Sequence, residues 1–156
     1  MNVLDPCCGS KMFWYDKNNS NVVYGDMRKE RHTLCDGRKL VIEPDLMLDY
    51  CALPFDDGLF NLVIFDPPHL EKGGDNSWMV KKYGRLPEDW RTNIQKGFTE
   101  CFRVLSNKGT LIFKWNETQI TVREILELSD YLPLFGHRSG KASNTHWISF
   151  MKIGEL

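Results

Sequence analysis

The chain has 156 residues, of which 42% are hydrophobic and 26% are charged, close to the composition of an average globular domain. Its 20 Lys and Arg residues and 21 Asp and Glu residues give a formal net charge of -1, which excludes a strong overall attraction to nucleic acids or anionic membranes. A chain of this length can bury a sizeable core, so we expect residues 1–156 to form a single domain.

Targeting and redox features point to a cytoplasmic protein. The first residues show no basic stretch followed by an apolar core, and no apolar run approaches the ~20 residues of a membrane span, so we expect no membrane partner. The 5 cysteines lack the paired spacing of a zinc site. We interpret them as reduced thiols and expect no bound metal, a site of Cys7 and Cys8 with His69 being the weaker alternative.

Three apolar runs in the first half of the chain predict strands. They are Val3-Leu4, Val22-Val23-Tyr24 and Asn61 to Phe65, and the last is continuous enough to be covered on both faces of a sheet. Residues 12–14 predict a short helix or turn. An Asp-Gly corner predicts a hairpin with arms at 33–34 and 39–42. Residues 70–86 show no periodicity and predict a long loop.

The second half of the chain predicts a long helix, a buried strand, a short helix and two closing strands. Proline and acidic residues at 87–89 are typical of a helix start. The apolar face that follows consists of Trp90, Ile94, Phe98, Cys101, Phe102 and Leu105, and the helix is predicted to stop at 107–109. The later elements are predicted at Thr110 to Trp115, Thr121 to Ser129, Leu132 to Phe135 and Trp147 to Ile153.

This alternation predicts an α/β fold: a Rossmann-like, doubly wound sheet, mostly parallel, with an antiparallel C-terminal hairpin and helices on both faces. Such sheets bind ligands outside the carboxyl ends of their strands. Asp5 and Gly9 flank the turn after the first strand, where glycine lets a ligand approach the backbone closely. Asp26 ends the second strand, the position of an acid that binds ribose hydroxyls. A nucleoside-type ligand is therefore expected.

Two later segments are further candidates. Asp49 precedes the apolar turn Leu53-Pro54-Phe55. The turn could lie along a planar ring while the Asp49 carboxylate accepts a hydrogen bond from an exocyclic amine of that ring. The alternative is that Asp49 is a solvated acid in a loop. Asp66-Pro67-Pro68-His69 follows the strand at 61–65. Two prolines directly after a buried strand make a rigid turn, which holds the aspartate side chain in one geometry.

The motifs resemble those of a known enzyme family. Asp5-Pro6-Cys7-Cys8-Gly9-Ser10 resembles the first motif of S-adenosylmethionine-dependent amino-methyltransferases, often Asp-Pro-Phe-x-Gly-Ser. Asp66-Pro67-Pro68-His69 resembles their catalytic (Asp/Asn/Ser)-Pro-Pro-aromatic motif. With Asp26, the 49–55 segment and the strand containing Phe113-Lys114-Trp115, the resemblance covers nearly the whole chain. The chain is similar to small class I methyltransferases carried by bacteria and their phages.

The resemblance implies an enzyme that uses S-adenosylmethionine to methylate a nitrogen, with the exocyclic amine of a nucleobase in DNA or RNA as the expected target. It implies that the cofactor is bound by the first-motif residues Asp5, Pro6, Cys7, Cys8, Gly9 and Ser10, by Asp26 at the ribose, and by Asp49 at the adenine amine with Leu53 and Phe55 near the ring. It also implies a catalytic turn formed by Asp66, Pro67, Pro68 and His69. His69 stands where the family has an aromatic residue that stacks on the target base. Both stacking and acid–base catalysis are therefore candidate roles for His69.

The match departs from the family at two further places. Lys11 follows the first motif where a small residue is common; it is a candidate partner of the cofactor carboxylate or a solvent-facing lysine. The chain also has no room for a separate target-recognition domain. The segment 70–86 is the candidate substitute, since basic and aromatic residues suit a flipped or single-stranded nucleotide, and a solvated lid is the alternative. Its candidate substrate-binding residues are Trp78, Lys81, Lys82, Tyr83 and Arg85.

Other readings of the chain remain. A methyltransferase that acts on a protein side chain or a small metabolite fits the near-neutral charge and the missing recognition domain. A non-catalytic module that binds the cofactor is also open, although Asp66-Pro67-Pro68 argues against it, because a binding protein has no use for a positioned acceptor. Nucleic acid is the expected macromolecular partner, and a homodimer would widen the substrate groove of so small a domain.

Overall fold

The computed structural model describes residues 2–140 and 142–153. The strands among these residues are β1 (Val3–Asp5), β2 (Val22–Asp26), β3 (Glu30–Thr33), β4 (Lys39–Ile42), β5 (Leu46–Met47), β6 (Phe60–Phe65), β7 (Leu105–Asn116), β8 (Phe135–Arg138) and β9 (Thr145–Met151). The helices are α1 (Trp78–Tyr83), α2 (Trp90–Val104) and α3 (Val122–Leu126). No helix in these parts of the chain is long and apolar enough to cross a membrane.

Seven of the strands form one sheet in the order β5-β2-β1-β6-β7-β9-β8. The first five run parallel, while β9 is antiparallel to both β7 and β8. The hairpin predicted around the Asp-Gly corner is present as a separate β3–β4 pair. This topology confirms the predicted Rossmann-like α/β class. The strand order reverses between β1 and β6, the place where sheets of this kind bind ligands.

One face of the sheet carries the main hydrophobic core. Buried side chains of α2, among them Ile94 and Phe98, pack there with Phe65 of β6 and Phe113 of β7, and Ile125 brings α3 to the same core. The predicted apolar face of α2 is therefore confirmed. Gly97 lets the helix approach the sheet closely, because a Cβ atom at this position would lie 2.6 Å from Cζ of Phe65.

Within the described residues, no crossover helix lies on the other face, and turns with aromatic side chains cover part of it. Between β1 and β2 the chain forms turns, and Trp14 packs edge-on against Tyr24 with ring centroids 5.2 Å apart. Phe13 contacts Trp147 of β9 in the same way, at 5.5 Å. The helices expected on this face are thus replaced by aromatic side chains from a run of turns, and these side chains reach the carboxyl ends of the strands.

Several predicted boundaries are wrong. Residues 78–83 form α1 inside the predicted loop. This helix was not predicted, because six residues span fewer than two turns and show no helical period. Strand β7 begins at Leu105, directly after α2, rather than at 110. The helix ends without the glycine cap predicted at 107–109. Nζ of Lys152 instead donates to carbonyls at the C-terminal end of α2, to that of Phe102 at 2.6 Å and to that of Leu105 at 2.7 Å.

The last two strands are also displaced from their predicted positions. Strand β8 spans 135–138 instead of 132–135, and β9 spans 145–151 instead of 147–153. The pairing of Phe135 with Ser149 and of Arg138 with His146 sets this register. Leu132 and Leu134, which suggested a strand, are exposed, so cross-strand pairing and not apolar character determines where β8 lies.

Candidate active site

The carboxyl ends of β1, β2 and β6 form a cleft at the point where the strand order reverses. Each of the three strands leads to an aspartate: Asp5, Asp26 and Asp66. Two adjoining pockets make up the cleft, and both are lined by Cys7, Arg28, Asp66 and Tyr83. The predicted cofactor turn lies on one side of the cleft, and the Asp-Pro-Pro turn and α1 lie on the other.

The turn after β1 is tied to the end of β2. The amide of Gly9 donates to Oδ2 of Asp26 at 2.9 Å, and the amide of Cys8 donates to the carbonyl of Gly25 at 2.8 Å. Gly9 has a φ of 50°, and no atom lies within 4 Å of where its Cβ would be. The turn therefore has an open side next to a carboxylate, an arrangement that can receive a ribose and the atoms attached to it.

Asp5 supports this turn from beneath. Its side chain is 0% exposed; Oδ2 accepts from Nε1 of Trp14 at 2.7 Å, and Oδ1 accepts from the amide of Cys7 at 3.2 Å. Burial raises the pKa of Asp5 to about 7, helped by the nearby Asp66 and Asp26 and opposed by the two hydrogen bonds. Asp5 thus shapes the first-motif turn and does not line the cleft.

Asp66 lines both pockets and is paired with a lysine. Nζ of Lys114, from the neighbouring strand β7, donates to Oδ2 of Asp66 at 2.7 Å. The same Nζ lies 5.4 Å from the ring centroid of Phe13 and 5.6 Å from that of Trp147. Burial raises the pKa of Asp66, while the charge of Lys114 and its hydrogen bond oppose this rise.

His69 is buried at the end of the Asp-Pro-Pro turn. Its ring centroid lies 5.0 Å from that of Tyr83 in α1 and 6.3 Å from that of Trp115 in β7. Burial, together with the positive charge of Lys114, lowers the pKa of His69 to about 4. The imidazole is then neutral at pH 7, which favours stacking or positioning over acid–base work.

Four predicted cofactor residues lie away from the cleft. Nζ of Lys11 is 3.9 Å from the ring centroid of Tyr24 and 3.5 Å from Oδ1 of Asp45. Asp49 is exposed and accepts from the amide of Cys51. Leu53 and Phe55 are held against α2, because their carbonyls accept from Arg103 at 2.9 and 2.8 Å. Neither the Leu53 side chain nor the Phe55 side chain lines either pocket of the cleft.

Sequence reasoning missed several residues that do line the cleft. Met27, Arg28 and Tyr50 line the pocket beside Asp26, and Met12 and Phe13 line the pocket beside Gly9. Tyr50 directly follows Asp49, so only the neighbouring residue was singled out. Arg28 carries no distinguishing sequence signal, yet its Nη1 donates to the carbonyl of Lys81 at 3.1 Å and so connects the end of β2 to α1.

Helix α1 brings some of the predicted substrate residues to the cleft. Lys82 and Tyr83 line the pocket beside Gly9, and Arg85 lines the pocket beside Asp26. Trp78 is 48% exposed, and Nζ of Lys82 lies 5.9 Å from its ring centroid. Lys81 lies outside these two pockets. Within the described residues, no group of three or more His, Cys, Asp or Glu side chains is arranged to hold a metal ion.

Comparison with known proteins identifies the fold. No protein-family model and no curated protein matches the chain. A methyltransferase from Methanosarcina mazei that depends on S-adenosylmethionine (SAM) matches with a TM-score of 0.61 and 12% identity, covering 99% of this chain and 93% of that one. A TehB-like SAM-dependent methyltransferase from Corynebacterium glutamicum gives a TM-score of 0.59 and 15% identity, covering 97% and 79%.

A third solved structure contains a bound product of the cofactor. It is the 1,6-didemethyltoxoflavin-N1-methyltransferase of Burkholderia thailandensis with 1,6-didemethyltoxoflavin and S-adenosylhomocysteine, at a TM-score of 0.58 and 10% identity, covering 97% of this chain and 71% of that one. These likenesses show that the chain has the fold of SAM-dependent methyltransferases.

Proposed function

We propose that this chain is a SAM-dependent methyltransferase that methylates a nitrogen, the exocyclic amine of a nucleobase. The observation that carries the proposal is the position of Asp66-Pro67-Pro68-His69. This turn follows β6 and faces the open turn at Gly9 across one cleft, within a methyltransferase fold. In this proposal, the Asp66 carboxylate receives the target amine next to a pocket that suits a nucleoside.

The residues of the cleft fit the cofactor. The turn at residues 7–10 would hold its methionine part, and Asp26 would accept from the ribose hydroxyls. In place of Leu53 and Phe55, the residues beside the adenine ring would be Met27 and Tyr50, which line the pocket next to Asp26. Bound S-adenosylmethionine supplies a methyl group already activated by a positive sulfonium, so the protein's task is mainly alignment.

The Asp-Pro-Pro turn would align the methyl acceptor. Asp66 accepts a hydrogen bond from the target amine and stabilises the positive charge that develops on its nitrogen. The excess proton leaves after transfer, so Asp66 need not be a strong base. Pro67 and Pro68 restrict the backbone and hold the neighbouring carbonyls in one direction. His69, neutral and packed against Tyr83, limits where a planar substrate ring can lie.

Helix α1 supports a nucleic-acid substrate. It places Lys82 and Tyr83 in the cleft and leaves the ring of Trp78 half exposed beside them. Aromatic faces with nearby cations bind unpaired bases and the phosphates that flank them. A small-molecule acceptor is the second candidate, favoured by the net charge of -1, which provides no overall attraction to a polyanion.

Calorimetric titration of S-adenosylhomocysteine tests the cofactor site. We expect micromolar binding by the wild-type protein and loss of binding in Asp26→Ala, because the variant lacks the ribose acceptor. Asp36→Ala, at the exposed corner of the β3–β4 hairpin, is the matched control and should bind like the wild type. Absence of binding by folded wild-type protein would contradict the proposal.

Methyl transfer itself is tested with labelled S-adenosylmethionine and short DNA and RNA oligonucleotides, with small nitrogen heterocycles as the competing class. Asp66→Ala should abolish transfer and leave the affinity for S-adenosylhomocysteine nearly unchanged, because Asp66 is assigned to the acceptor. Equal losses of transfer and affinity would show that Asp66 acts on the cofactor instead.

A further inference from the structure

We propose that Lys114 is a positioning residue for the methyl acceptor: it holds Asp66 by one carboxylate oxygen and leaves the other oxygen to accept from the target amine. This inference rests on the proposed function and extends it to a residue outside the Asp-Pro-Pro turn. Lys114 lies on β7, one strand away from the strand that leads to Asp66.

The geometry divides the two carboxylate oxygens between two tasks. Oδ2 of Asp66 accepts from Nζ of Lys114 at 2.7 Å. Oδ1 has no hydrogen-bond partner among residues 2–140 and 142–153, although Asp66 lines both pockets of the cleft. A carboxylate held at one oxygen has fewer accessible rotamers, so the second oxygen is preorganised for an incoming N–H group.

Lys114 is itself held in place. Its ammonium lies near the rings of Phe13 and Trp147, which contact each other edge-on with centroids 5.5 Å apart. Its side chain is 16% exposed, and that of Asp66 is 18% exposed. Aromatic rings around a partly desolvated cation stabilise its charge, and the ion pair gains strength where water is scarce. Two aromatic residues from distant segments therefore keep the donor on Asp66.

The pair also determines the charge state of Asp66. Burial alone favours the neutral carboxylic acid, which has lost part of its acceptor capacity, and the Lys114 ammonium favours the ionised form. The other titratable or charged groups around Asp66 are Asp5 from β1, Cys7 and Cys8 from the following turn, Asp26 and Arg28 from the end of β2, Tyr50, His69 from its own turn, Lys82 and Tyr83 from α1, and Arg85 just after α1. In the part of the chain that the structure describes, Lys114 is the cation in direct contact with the carboxylate.

Titration of the Asp66 carboxyl tests the inference without cofactor or substrate. Protein labelled with ¹³C at the aspartate carboxyl carbons is titrated by NMR, and the Asp66 signal is assigned by its loss in Asp66→Asn. Lys114→Met should raise the titration midpoint of Asp66 by about 1 to 3 pH units, the usual effect of an adjacent opposite charge. Lys114→Arg should restore the wild-type midpoint, and Lys96→Met, on the exposed side of α2, should leave it unchanged.

The pH profile of methyl transfer to the oligonucleotides is the second measurement. The acidic limb of the profile should move upward with the Asp66 midpoint in Lys114→Met and return in Lys114→Arg. An unchanged midpoint in Lys114→Met, or transfer that matches the wild type at every pH, would overturn the inference. Should Lys114→Met fail to fold, Lys114→Gln keeps a polar end without the charge and should raise the midpoint in the same direction.

The two proposals fail in different ways. Suppose that Lys114 controls the titration of Asp66 but the wild-type protein transfers no methyl group to any acceptor. The proposed function is then wrong, while the conclusion that Lys114 holds the Asp66 carboxylate is kept. If transfer occurs and Asp66 titrates alike with and without Lys114, the positioning role is wrong and the proposed function stands.

Discussion

Asp5 shapes the turn beside the cleft without lining the cleft itself. It is fully buried, yet both of its oxygens have partners, the Trp14 indole and the Cys7 amide. Trp14 belongs to the run of turns that packs on the second face of the sheet, and Cys7 belongs to the proposed cofactor turn. The carboxyl therefore connects the packing of that face to the shape of the turn, and its protonation has consequences for the whole fold.

The free energy of unfolding should depend on the protonation of Asp5. Because folding raises the pKa of this carboxyl from about 4 to about 7, its contribution is full below the unfolded pKa and is lost as the pH rises through 7. Urea unfolding should therefore show a larger drop in stability from pH 5 to pH 8 in the wild type than in Asp5→Asn, which cannot ionise.

Asp36→Asn is the control for this comparison. Asp36 is exposed, and its pKa is lowered by hydrogen bonds from Arg38, so it titrates below the pH 5 to 8 window. This variant should show the same drop in stability as the wild type. An identical drop in Asp5→Asn would show that Asp5 does not bind its proton more strongly in the folded protein.

Helix α1 is attached to the rest of the molecule mainly at its C-terminal end. It has no buried residue, and Gly84 ends it against Pro68, with a Cβ position 3.2 Å from that ring. Arg28 and His69 provide further contacts, to the Lys81 carbonyl and to the Tyr83 ring. An element held by few contacts opens at low free-energy cost. We therefore expect α1 to act as a cover that admits and contacts the substrate.

Lys81→Gln/Lys82→Gln should weaken transfer to oligonucleotides and flatten its salt dependence. Each lost phosphate contact reduces the slope of log affinity against log salt by about 0.7 to 0.9. Arg85 is left unchanged because Asp75 pairs with it at 3.2 Å. Lys39→Gln/Lys96→Gln removes the same charge from exposed sites elsewhere and should behave like the wild type. Unchanged turnover and salt dependence in the α1 variant would favour the small-molecule acceptor.

The whole molecule depends on the packing of α2 against one face of the sheet. The site lies at the end of this sheet, so the spacing between helix and strands also determines where the ends of β6 and β7 lie. Gly97 is a point of close approach, facing the rings of Phe65 and Tyr50. Phe65 is fully buried and directly precedes Asp66, which couples this contact to the Asp-Pro-Pro turn.

Gly97→Ala should destabilise the protein by about 1 to 3 kcal/mol, because the added methyl group would lie 2.6 Å from Cζ of Phe65 and overpack the core. The better helix propensity of alanine offsets this loss by no more than about 1 kcal/mol. Gly74→Ala is the matched control, since no atom lies within 4 Å of its Cβ position. Denaturant midpoints compare the two variants, and a Gly97→Ala protein as stable as the wild type would contradict the close packing.

The sequence by itself determined the fold class, the long helix and the motifs at the strand ends. Continuous apolar runs and the helical spacing of Trp90 to Phe102 are local patterns that burial imposes directly. Parallel strands bring their carboxyl ends to one edge, so the turn at 7–10, Asp26 and Asp66 meet in one cleft as predicted. The roles assigned to them stay predictions until the variants are measured.

Only the tertiary structure decided which other side chains reach that cleft. Lys114 is 48 residues from Asp66 and meets it through the pairing of β6 with β7, a matter of register that no single-chain pattern contains. Leu53 and Phe55 lie away from the cleft, and their carbonyls accept hydrogen bonds from Arg103 on α2. Helix α1 has too few turns to show a period. Contacts between distant segments depend on how completed elements pack, and local sequence therefore does not predict them.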